Sequence, residues 1–393
     1  MPAIEIPLAR CADEAIGKLA SAMGSTTLAH LDGTTLLGER AMLAGMAIPG
    51  RTSAGGGCRL YDAIGDCVAL NLARAADREL LPALFATDQL HADDDQSIGA
   101  RIAASDAAAL VGRGRSMGLA IAAEHEALPV VSICIEHIAS SPVIAPARRP
   151  FVVDLASLWA GPLAAHLLWL AGAEVVKVES RTRPDAMREG DSVFHALLNQ
   201  GKASVVLDFA ADGDRQALRS MIAAADIVIE AARPRALAQL GIDATQLVLS
   251  TPGLVWITIT GHGASGDAAN WVGFGDDCGV AAGLSAALRA VTGRTGFVGD
   301  AIADPLTGIF AALAAWEAWT AGRGGRYGLA MSHVAARCLS TAQDDDAPAL
   351  EKSLSAWGSS TGKPFPTVAR RPIRSMPAFG EHTHSYLARF AKC

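Results

Sequence analysis

The chain of 393 residues is 51% hydrophobic, 19% charged and only 5% aromatic, which is typical of a globular protein long enough for two or more domains. Its 33 Lys and Arg residues face 40 Asp and Glu residues, giving a formal charge of −7, and no run of five basic residues occurs. The electrostatic footprint of a DNA- or RNA-binding protein is missing, so we predict no nucleic-acid partner.

The N-terminal segment, the apolar runs and the cysteines indicate the cellular compartment in which we expect the protein. The N-terminal segment has an early acidic residue and no basic region before an apolar core, so we expect no secretory signal. No uncharged run approaches the length of a membrane span. The seven cysteines are scattered and include no C-x-x-C pair, which favours reduced thiols over a disulfide framework or a zinc site. We therefore expect a cytoplasmic protein with no membrane partner and no metal centre.

The first part of the chain, residues 1–148, predicts a smaller α+β unit. Two helices, around EAIGKLASAM and TTLLGERAML, are followed by a glycine loop of Gly55, Gly56 and Gly57 and by two strands, RLYDA and CVALNLA. PVVSICIEHI predicts a further buried strand, and the proline-rich SSPVIAPARRP predicts a linker. A glycine triplet can bring backbone N–H groups close to an anionic ligand, although most such triplets are simply mobile loops.

A different pattern begins at Phe151. FVVDLASLWAGPLAAHLLWLAGAEVVKVES indicates a strand, a helix and a second strand, and both strands are nearly continuous apolar runs. That texture is typical of a parallel sheet covered on both faces. The alternation continues through ASVVLDF, DIVIEA and LVWITITG. We therefore predict a large, open, mostly parallel α/β domain over residues 149–335, with ligands bound beyond the carboxyl ends of its strands.

Three common sequence signatures are missing from this domain. No G-x-G-x-x-G follows its first strand, and no G-x-x-x-x-G-K-[ST] is present, which argues against dinucleotide and P-loop nucleotide binding. No G-x-S-x-G elbow occurs either, so a serine hydrolase of the α/β type is not indicated.

An acidic loop runs into an Ala-rich helix between Phe297 and Trp319. Asp304 precedes Pro305, whose fixed φ suits the first helical position, so we predict that Asp304 is the N-cap, ionised and facing outward. An ionised, held carboxylate is also what a nucleophile needs. From this stretch alone the capping role is the simpler interpretation.

Spaced motifs in the second part of the chain resemble CoA-transferase family III, also called the CaiB/BaiF family. They are V-V-D-L-x-x-L-x-A-G-P-L from Val152, G-A-E-V-V-K-V-E from Gly172, R-x-x-x-D-x-x-R from Arg181, L-N-x-G-K-x-S-V-V-L-D from Leu198, A-D-I-V-I-E-x-x-R-P from Ala225 and a closing P-A-F-G-E-H-T from Pro377. The resemblance implies the family's fold, in which long linkers join a large α/β domain to a small domain and two such chains interlock as a homodimer. It also implies CoA transfer from an acyl-CoA donor to a carboxylic acid acceptor, with CoA as substrate and no tightly bound cofactor.

The resemblance also implies site residues. The family's nucleophilic aspartate, which passes through a mixed anhydride and an aspartyl-CoA thioester, falls on Asp304, with Asp300 as the nearest rival. The residues implied for CoA are Leu158 and Trp159 along the pantetheine, Arg181, Arg183 and Lys202 towards the nucleotide, and Gly55, Gly56 and Gly57 as a loop covering the active site.

The sequence departs from the family pattern at three places, and these departures bear on the domain order and on the alternative functions. The small-domain-like segment precedes the large domain here, so the order looks permuted and residues 336–393 would supply only a return segment. Phe274-Gly275 stands where the racemase branch has a His-Asp pair, which argues against an acyl-CoA racemase or isomerase. Ala231-Ala232 replaces an Asn-Phe pair that some members use for CoA, so a non-catalytic acyl-CoA-binding relative is a further alternative.

Two polar features near the expected cleft are predicted to have no catalytic role. We expect His262, in a G-H-G turn, to lie at the surface or in packing rather than on substrate. We also expect Asp276 and Asp277 to lie in an extended stretch, which would point their side chains to opposite faces and exclude a shared-proton pair.

Overall fold

The fold is taken from a computed structural model, which describes residues 4–87, 93–129, 134–138, 148–232 and 234–390. The strands are β1 Cys58–Asp62, β2 Cys67–Asn71, β3 Ala120–Ala123, β4 Cys134–Ile138, β5 Phe151–Asp154, β6 Glu174–Ser180, β7 Ala203–Leu207, β8 Ile227–Glu230, β9 Val255–Thr260 and β10 Gly325–Ala330. The helices are α1 Ala9–Met23, α2 Gly33–Leu43, α3 Ala75–Glu79, α4 Leu81–Leu84, α5 Asp95–Ala103, α6 Ala107–Ser116, α7 Ala160–Leu170, α8 Met187–Gly190, α9 Ser192–Asn199, α10 Asp212–Ala223, α11 Pro234–Gln239, α12 Ala244–Ser250, α13 Gly275–Ala281, α14 Leu284–Thr292, α15 Ala303–Thr320, α16 Met331–Gly358 and α17 Thr383–Phe390.

The large sheet has seven strands in the order β4-β10-β9-β8-β5-β6-β7. All neighbours pair in parallel except β4, which pairs antiparallel with β10. Successive residues of the strands face opposite cores: Val152 and Ile227 pack with α1, α7 and α15, whereas Val153 and Val228 pack with α10, α12 and α17. Both faces are therefore covered by helices, and the predicted mostly parallel α/β domain is confirmed.

A second sheet forms the core of the smaller unit. Its order is β1-β2-β3, all antiparallel, and the helices α4, α5 and α6 share its hydrophobic core. The strands predicted from RLYDA and CVALNLA are confirmed, whereas β3 was missed because AIAA is too short to show an alternating pattern.

Residues 1–148 do not all belong to this smaller unit. The side chains of α1 and α2 are buried in the same core as α7 and α15, and β4 joins the edge of the large sheet. Of the predicted PVVSICIEHI strand, residues 130–133 lie outside the described part, as does most of the predicted linker, residues 140–147. The division at residues 148 and 335 stays a prediction, and α16 runs across the second of these positions.

The closing segment of the chain lies along β7, the outer strand of the large sheet. Ser204 donates its N–H to Nδ1 of His382 over 3.3 Å, and Val206 donates to the hydroxyl of Thr383 over 3.0 Å. The motif that begins at Pro377 thus covers a sheet edge whose backbone groups would otherwise be unpaired. Among the described helices, none is long and apolar enough to cross a bilayer.

A glycine sets how closely α7 and α15 approach. A Cβ added to Gly308 of α15 would lie 2.7 Å from the carbonyl oxygen of Ala160 and 3.0 Å from Cβ of Leu163, both in α7. Since Asp304 lies one helical turn before Gly308, this contact also fixes Asp304 relative to the strand ends.

We expect Gly308→Ala to lower the free energy of unfolding by about 1–3 kcal/mol, because the new methyl group meets backbone that cannot rotate away. Gly17→Ala is the matched control, since a Cβ there meets nothing within 4 Å and α1 should gain up to about 1 kcal/mol from helix propensity. Urea unfolding of both variants measures the difference. Equal stability of Gly308→Ala and the parent chain would contradict the close contact.

Candidate active site

A cavity of about 350 Å³ opens beyond the carboxyl ends of β5, β8 and β9. Its walls come from the loops after these strands and from α15; the residues at the strand ends are Leu155, Ser157, Leu158, Ala231, Ala232, Thr260 and Gly261. The strand order reverses at β5, which has β6 on one side and β8 on the other. The cavity therefore lies at the topological switch point, where the sequence predicted that ligands bind.

Asp304 lines this cavity from the first turn of α15. The helix begins at Ala303 with Ile302 as N-cap and without a side-chain cap, so the prediction that Asp304 is the N-cap is wrong. Its half-buried carboxylate instead accepts a hydrogen bond of 3.0 Å from the backbone N–H of Gly275, the first residue of α13. A Cβ on Gly275 would collide with that carboxylate, which explains why a residue without a side chain stands there.

Three carboxylates surround one guanidinium group behind the cavity. Asp300 is fully buried and forms an ion pair with Nη2 of Arg40 at 2.8 Å, while Asp276 accepts a 3.1 Å hydrogen bond from the N–H of Ala301. Arg40 also lies close enough to Asp276 and Asp304 to attract both electrostatically. One cation thus serves three acids, so repulsion among the acids is only partly offset.

This environment changes the protonation of Asp304. Burial raises its pKa to about 7, helped by repulsion from Asp276 and Asp300 and opposed by Arg40 and the N–H of Gly275. The pKa of Asp300 is raised to about 6, again mainly by burial. A pKa of about 7 leaves Asp304 only partly ionised at neutral pH, against the expectation of full ionisation, although the side chain does face the open cavity.

The predicted glycine loop reaches this cluster through Arg40. A Cβ on Gly55 would lie 2.8 Å from Nη2 of Arg40, and one on Gly57 would lie 3.1 Å from Cβ of Ala73. Gly56 has a left-handed φ of 77°. The loop does not line the cavity itself; the smaller unit contributes Arg74 to the wall instead.

Of the two residues predicted to lie along the pantetheine, the structure places only Leu158 in the cavity wall. Leu158 lines the cavity with a left-handed φ of 68°, and its N–H donates to the carboxylate of Asp185 over 3.2 Å. Trp159 is 2% exposed; its ring packs edge-on against Phe194 and lies beneath the guanidinium of Arg40 at 5.0 Å. Trp159 therefore supports Arg40 and does not line the cavity.

The three cations predicted for CoA binding, Arg181, Arg183 and Lys202, differ in how exposed their charged groups are. The ammonium of Lys202 is buried and donates to Asp154, to the carbonyl of Pro162 and to the side chain of Asn199, at 2.8, 2.9 and 3.0 Å. All three of its protons are used, so the geometry corrects its predicted role in CoA binding: it ties β7 to the start of α7. Arg181 and Arg183 are both exposed.

Arg183 lines a second, open basin of about 910 Å³, which Arg181 does not. Trp271 belongs to the walls of both the basin and the cavity. The guanidinium of Arg115 stacks over the Trp271 ring at 4.3 Å and pairs with Glu126 at 2.7 Å. A long ligand could therefore reach from Asp304, past Trp271, to the exposed guanidinium of Arg183.

Two further predictions concern the segment after β9. Asp276 and Asp277 lie in α13 and not in an extended stretch, so the reason given for separating them is wrong. They nevertheless have different partners, since Asp277 accepts from Asn71 and from the N–H of Phe274. His262 is 4% exposed and packs edge-on against Trp271, in agreement with a packing position.

Comparison with known proteins identifies the family. The sequence profile of CoA-transferase family III matches residues 151–349, about half of the chain. The chain belongs to this family. The family III match contains the large sheet from β5 onward and Asp304, whereas Arg40 and the glycine loop lie outside it.

Individual relatives of this family III chain match it over a shorter length. It is 33% identical over 178 residues to a succinyl-CoA–D-citramalate CoA-transferase of Chloroflexus aurantiacus, covering 42% of each chain. It is 31% identical over 177 residues to a succinate–glutarate CoA-transferase of Agrobacterium fabrum, covering 42% of this chain and 44% of the relative. The chain thus spans less than half the length of these curated relatives.

Solved structures are also similar to parts of this chain. A crystal structure of the hypothetical protein Rv3272 from Mycobacterium tuberculosis is 25% identical and aligns with a TM-score of 0.46, over 52% of this chain and 61% of that one. A CaiB/BaiF family protein from Brucella suis is 26% identical with a TM-score of 0.42, over 53% and 59%.

Proposed function

We propose that this protein is an acyl-CoA:carboxylate CoA-transferase in which Asp304 is the nucleophile. The observation that carries the proposal is the placement of one half-buried carboxylate at the wall of a cavity at the switch point of the sheet. Family membership supports the reaction class, and the curated relatives carry names of CoA-transferases. The proposed substrates are an acyl-CoA and a carboxylic acid.

The proposed reaction passes through three covalent intermediates on one side chain: two mixed anhydrides and, between them, a thioester. The ionised Asp304 attacks the thioester carbonyl, which breaks the C–S bond and gives a mixed anhydride and CoA thiolate. The thiolate attacks the aspartyl carbonyl, releasing the first acid and leaving an aspartyl-CoA thioester. The acceptor carboxylate attacks that thioester, which expels CoA thiolate and forms a second mixed anhydride between the acceptor and Asp304. The thiolate then attacks the acyl carbon of the acceptor, which forms the new acyl-CoA and releases the Asp304 carboxylate. Each step has a good leaving group, so one difficult exchange becomes several easier ones.

Backbone donors support these steps. Gly275 holds one oxygen of Asp304 through its N–H, which leaves the other oxygen to attack. After acylation the same N–H lies beside the aspartyl carbonyl, where it stabilises the negative charge of the tetrahedral intermediate. No metal or tightly bound cofactor is required by this sequence of steps.

Trapping the acyl intermediates tests the proposal. The protein is incubated with acetyl-CoA or succinyl-CoA, treated with hydroxylamine and digested, and the modified residue is located by mass spectrometry. We expect a hydroxamate on Asp304. Modification at Asp300 would assign the nucleophile to the rival residue. α-Proton exchange in heavy water without any acyl transfer would instead indicate an isomerase.

The rate should depend on pH because only ionised Asp304 attacks. With its pKa raised to about 7, we expect kcat/KM for the acyl-CoA to rise about tenfold between about pH 6 and pH 8 and then level off. Initial rates across this range, corrected for thioester hydrolysis without enzyme, give the midpoint. A profile that is already flat above about pH 5 would show that the carboxylate is not enclosed as described.

The nucleotide end of CoA is proposed to lie in the basin beside Arg183. We expect Arg183→Ala to raise KM for the acyl-CoA about fivefold to tenfold, through loss of a charge-assisted phosphate contact. The effect should shrink with the 3′-dephospho thioester. Arg181→Ala is the matched control, because Arg181 is as exposed but does not line the basin. Equal effects of the two substitutions would place the nucleotide elsewhere.

A homodimer and a cytoplasmic location are also part of the proposal. Cys11, Cys58, Cys67, Cys278 and Cys338 are free thiols, which suits a reducing compartment. Light scattering measures the oligomeric state, and a monomeric, active enzyme would refute the dimer.

A further inference from the structure

A buried cluster of three side chains lies under the wall of the cavity and takes no part in the proposed reaction. Nε2 of His262 lies 3.9 Å from Oδ2 of Asp277 and 4.0 Å from Sγ of Cys278. One ligand-type atom from each of the three residues lies within 4.8 Å of the others. Nitrogen, sulfur and carboxylate oxygen are the donor types that zinc binds.

Two polar atoms of this cluster have no hydrogen-bond partner among the described residues. Oδ1 of Asp277 is held by Asn71 and by the N–H of Phe274, but Oδ2 is buried without a hydrogen-bond partner among the described residues. Nδ1 of His262 is also buried and unpartnered there. A buried carboxylate oxygen without a partner carries a desolvation penalty, so an ion bound to Oδ2 of Asp277 would gain that free energy. Nδ1 of His262 gains nothing, because Nε2 is the ring nitrogen that faces the other two ligands.

A glycine leaves space at the cluster. A Cβ added to Gly273 would lie 2.7 Å from Sγ of Cys278 and 3.0 Å from Nε2 of His262. Any larger residue would therefore occupy the position between the two ligands. Gly273 and Gly261 both line the cavity, so the same position is close to a path from solvent.

The dimensions and charges fit a divalent ion. Tetrahedral Zn–N and Zn–S bonds of about 2.0 and 2.3 Å place nitrogen and sulfur about 3.5 Å apart, so Nε2 of His262 and Sγ of Cys278 need to close by about 0.5 Å. The other two separations, both below 4.8 Å, must also shorten. The Cys278 thiol donates to the carbonyl of Gly261 over 3.3 Å, and this proton must be released for the thiolate to bind. Thiolate and carboxylate together offset the two charges of the ion, and Arg115 nearby is neutralised by Glu126.

From these contacts we propose that His262, Asp277 and Cys278 form a zinc-type metal site beneath the cavity. The fourth position would face Gly273 and the cavity, in the manner of sites that keep one position open. The hydrogen bonds from Asn71 and Phe274 to Asp277 orient the carboxylate ligand. The ligands come from a turn and from a helix, which is why no C-x-x-C spacing signals the site in the sequence.

Cobalt is the best probe, because a thiolate ligand gives Co²⁺ a charge-transfer band in the near ultraviolet. The full chain is stripped with a chelator, and Co²⁺ is then added while absorbance and bound metal are measured. We expect one equivalent to bind with the charge-transfer band, and Zn²⁺ to displace it. Cys278→Ser should abolish the band, and Asp277→Asn should weaken binding at least tenfold. Cys338→Ser, which removes another buried thiol, should leave the band unchanged.

Other outcomes would overturn the site. A second group, Asp66, Glu124 and His125, could also hold an ion at the surface. Binding that lacks the charge-transfer band and is lost in Asp66→Asn would assign the metal to that group. Less than about a tenth of an equivalent of bound metal would refute both. His262→Ala, checked for folding by circular dichroism, covers the case in which Cys278→Ser does not fold. All these readouts are independent of CoA transfer.

Discussion

Asp304→Asn should reduce CoA transfer by about a thousandfold or more, because an amide oxygen does not form the mixed anhydride from which both later steps proceed. The substitution keeps the size of the side chain and an acceptor for the N–H of Gly275. The loss should appear in kcat, while binding of the acyl-CoA changes little. The hydroxylamine-trapped adduct should disappear in the same variant.

The stability of this variant should move in the opposite direction to its activity. The carboxylic pKa is raised in the folded state from 3.8 to about 7, so ionisation opposes folding. This penalty on the free energy of folding is absent below about pH 4, where the carboxyl group is protonated in both states. It grows between the unfolded and the folded pKa and is complete above about pH 7. Asp304→Asn should therefore gain on the order of 1–3 kcal/mol at pH 8, measured by urea unfolding, and gain nothing at about pH 4.

Asp300→Asn is the matched comparison for the nucleophile. Its amide oxygen can still accept from Arg40, so we expect activity within about tenfold of the parent. Activity that is lost in Asp300→Asn but kept in Asp304→Asn would exchange the roles of the two residues. Loss in both, with both proteins folded, would leave hydroxylamine mapping to decide.

The sequence predicts the large sheet well because its signal is local. Each of β5, β6, β7, β8 and β9 is a short apolar run bounded by turn residues, and parallel strands covered on both faces produce that texture. The position of the cavity follows from the same pattern, since the strand ends must meet at one edge. Asp304 could be singled out because a helix start and a family motif coincide there.

The electrostatics of the site depend on contacts that no local pattern shows. Arg40 meets Asp300 across 260 positions of sequence, and no spacing rule links a residue of α2 to the loop before α15. Lys202 looks like a free cation in the sequence, yet tertiary packing places its ammonium against Asp154. The N-cap was misplaced by two residues, because Pro305 is tolerated anywhere in the first turn and does not mark the first position alone.

Arg40→Met should both destabilise the protein and raise the pH at which it becomes active. The ion pair with Asp300 is buried, with side-chain exposures of 17% and 0%, so removing the cation leaves an uncompensated carboxylate. Breaking such a pair from one side costs about 3–5 kcal/mol. Arg10→Met is the control: Arg10 is 61% exposed and pairs with exposed acids, so its loss should change stability by less than about 0.5 kcal/mol.

The pH dependence of activity in Arg40→Met shows whether Arg40 changes the pKa of Asp304 or only the stability of the fold. Arg40 opposes the rise in the pKa of Asp304, so without it that pKa moves above 7 and the activity profile shifts towards alkaline pH. Arg40→Met combined with Asp300→Asn should recover part of the stability, because the carboxylate in direct contact with Arg40 is then neutral, while Asp276 and Asp304 remain without their cation. Its activity midpoint should nevertheless stay more alkaline than that of Asp300→Asn alone. If the two midpoints coincide, Arg40 acts on stability only and does not tune the nucleophile.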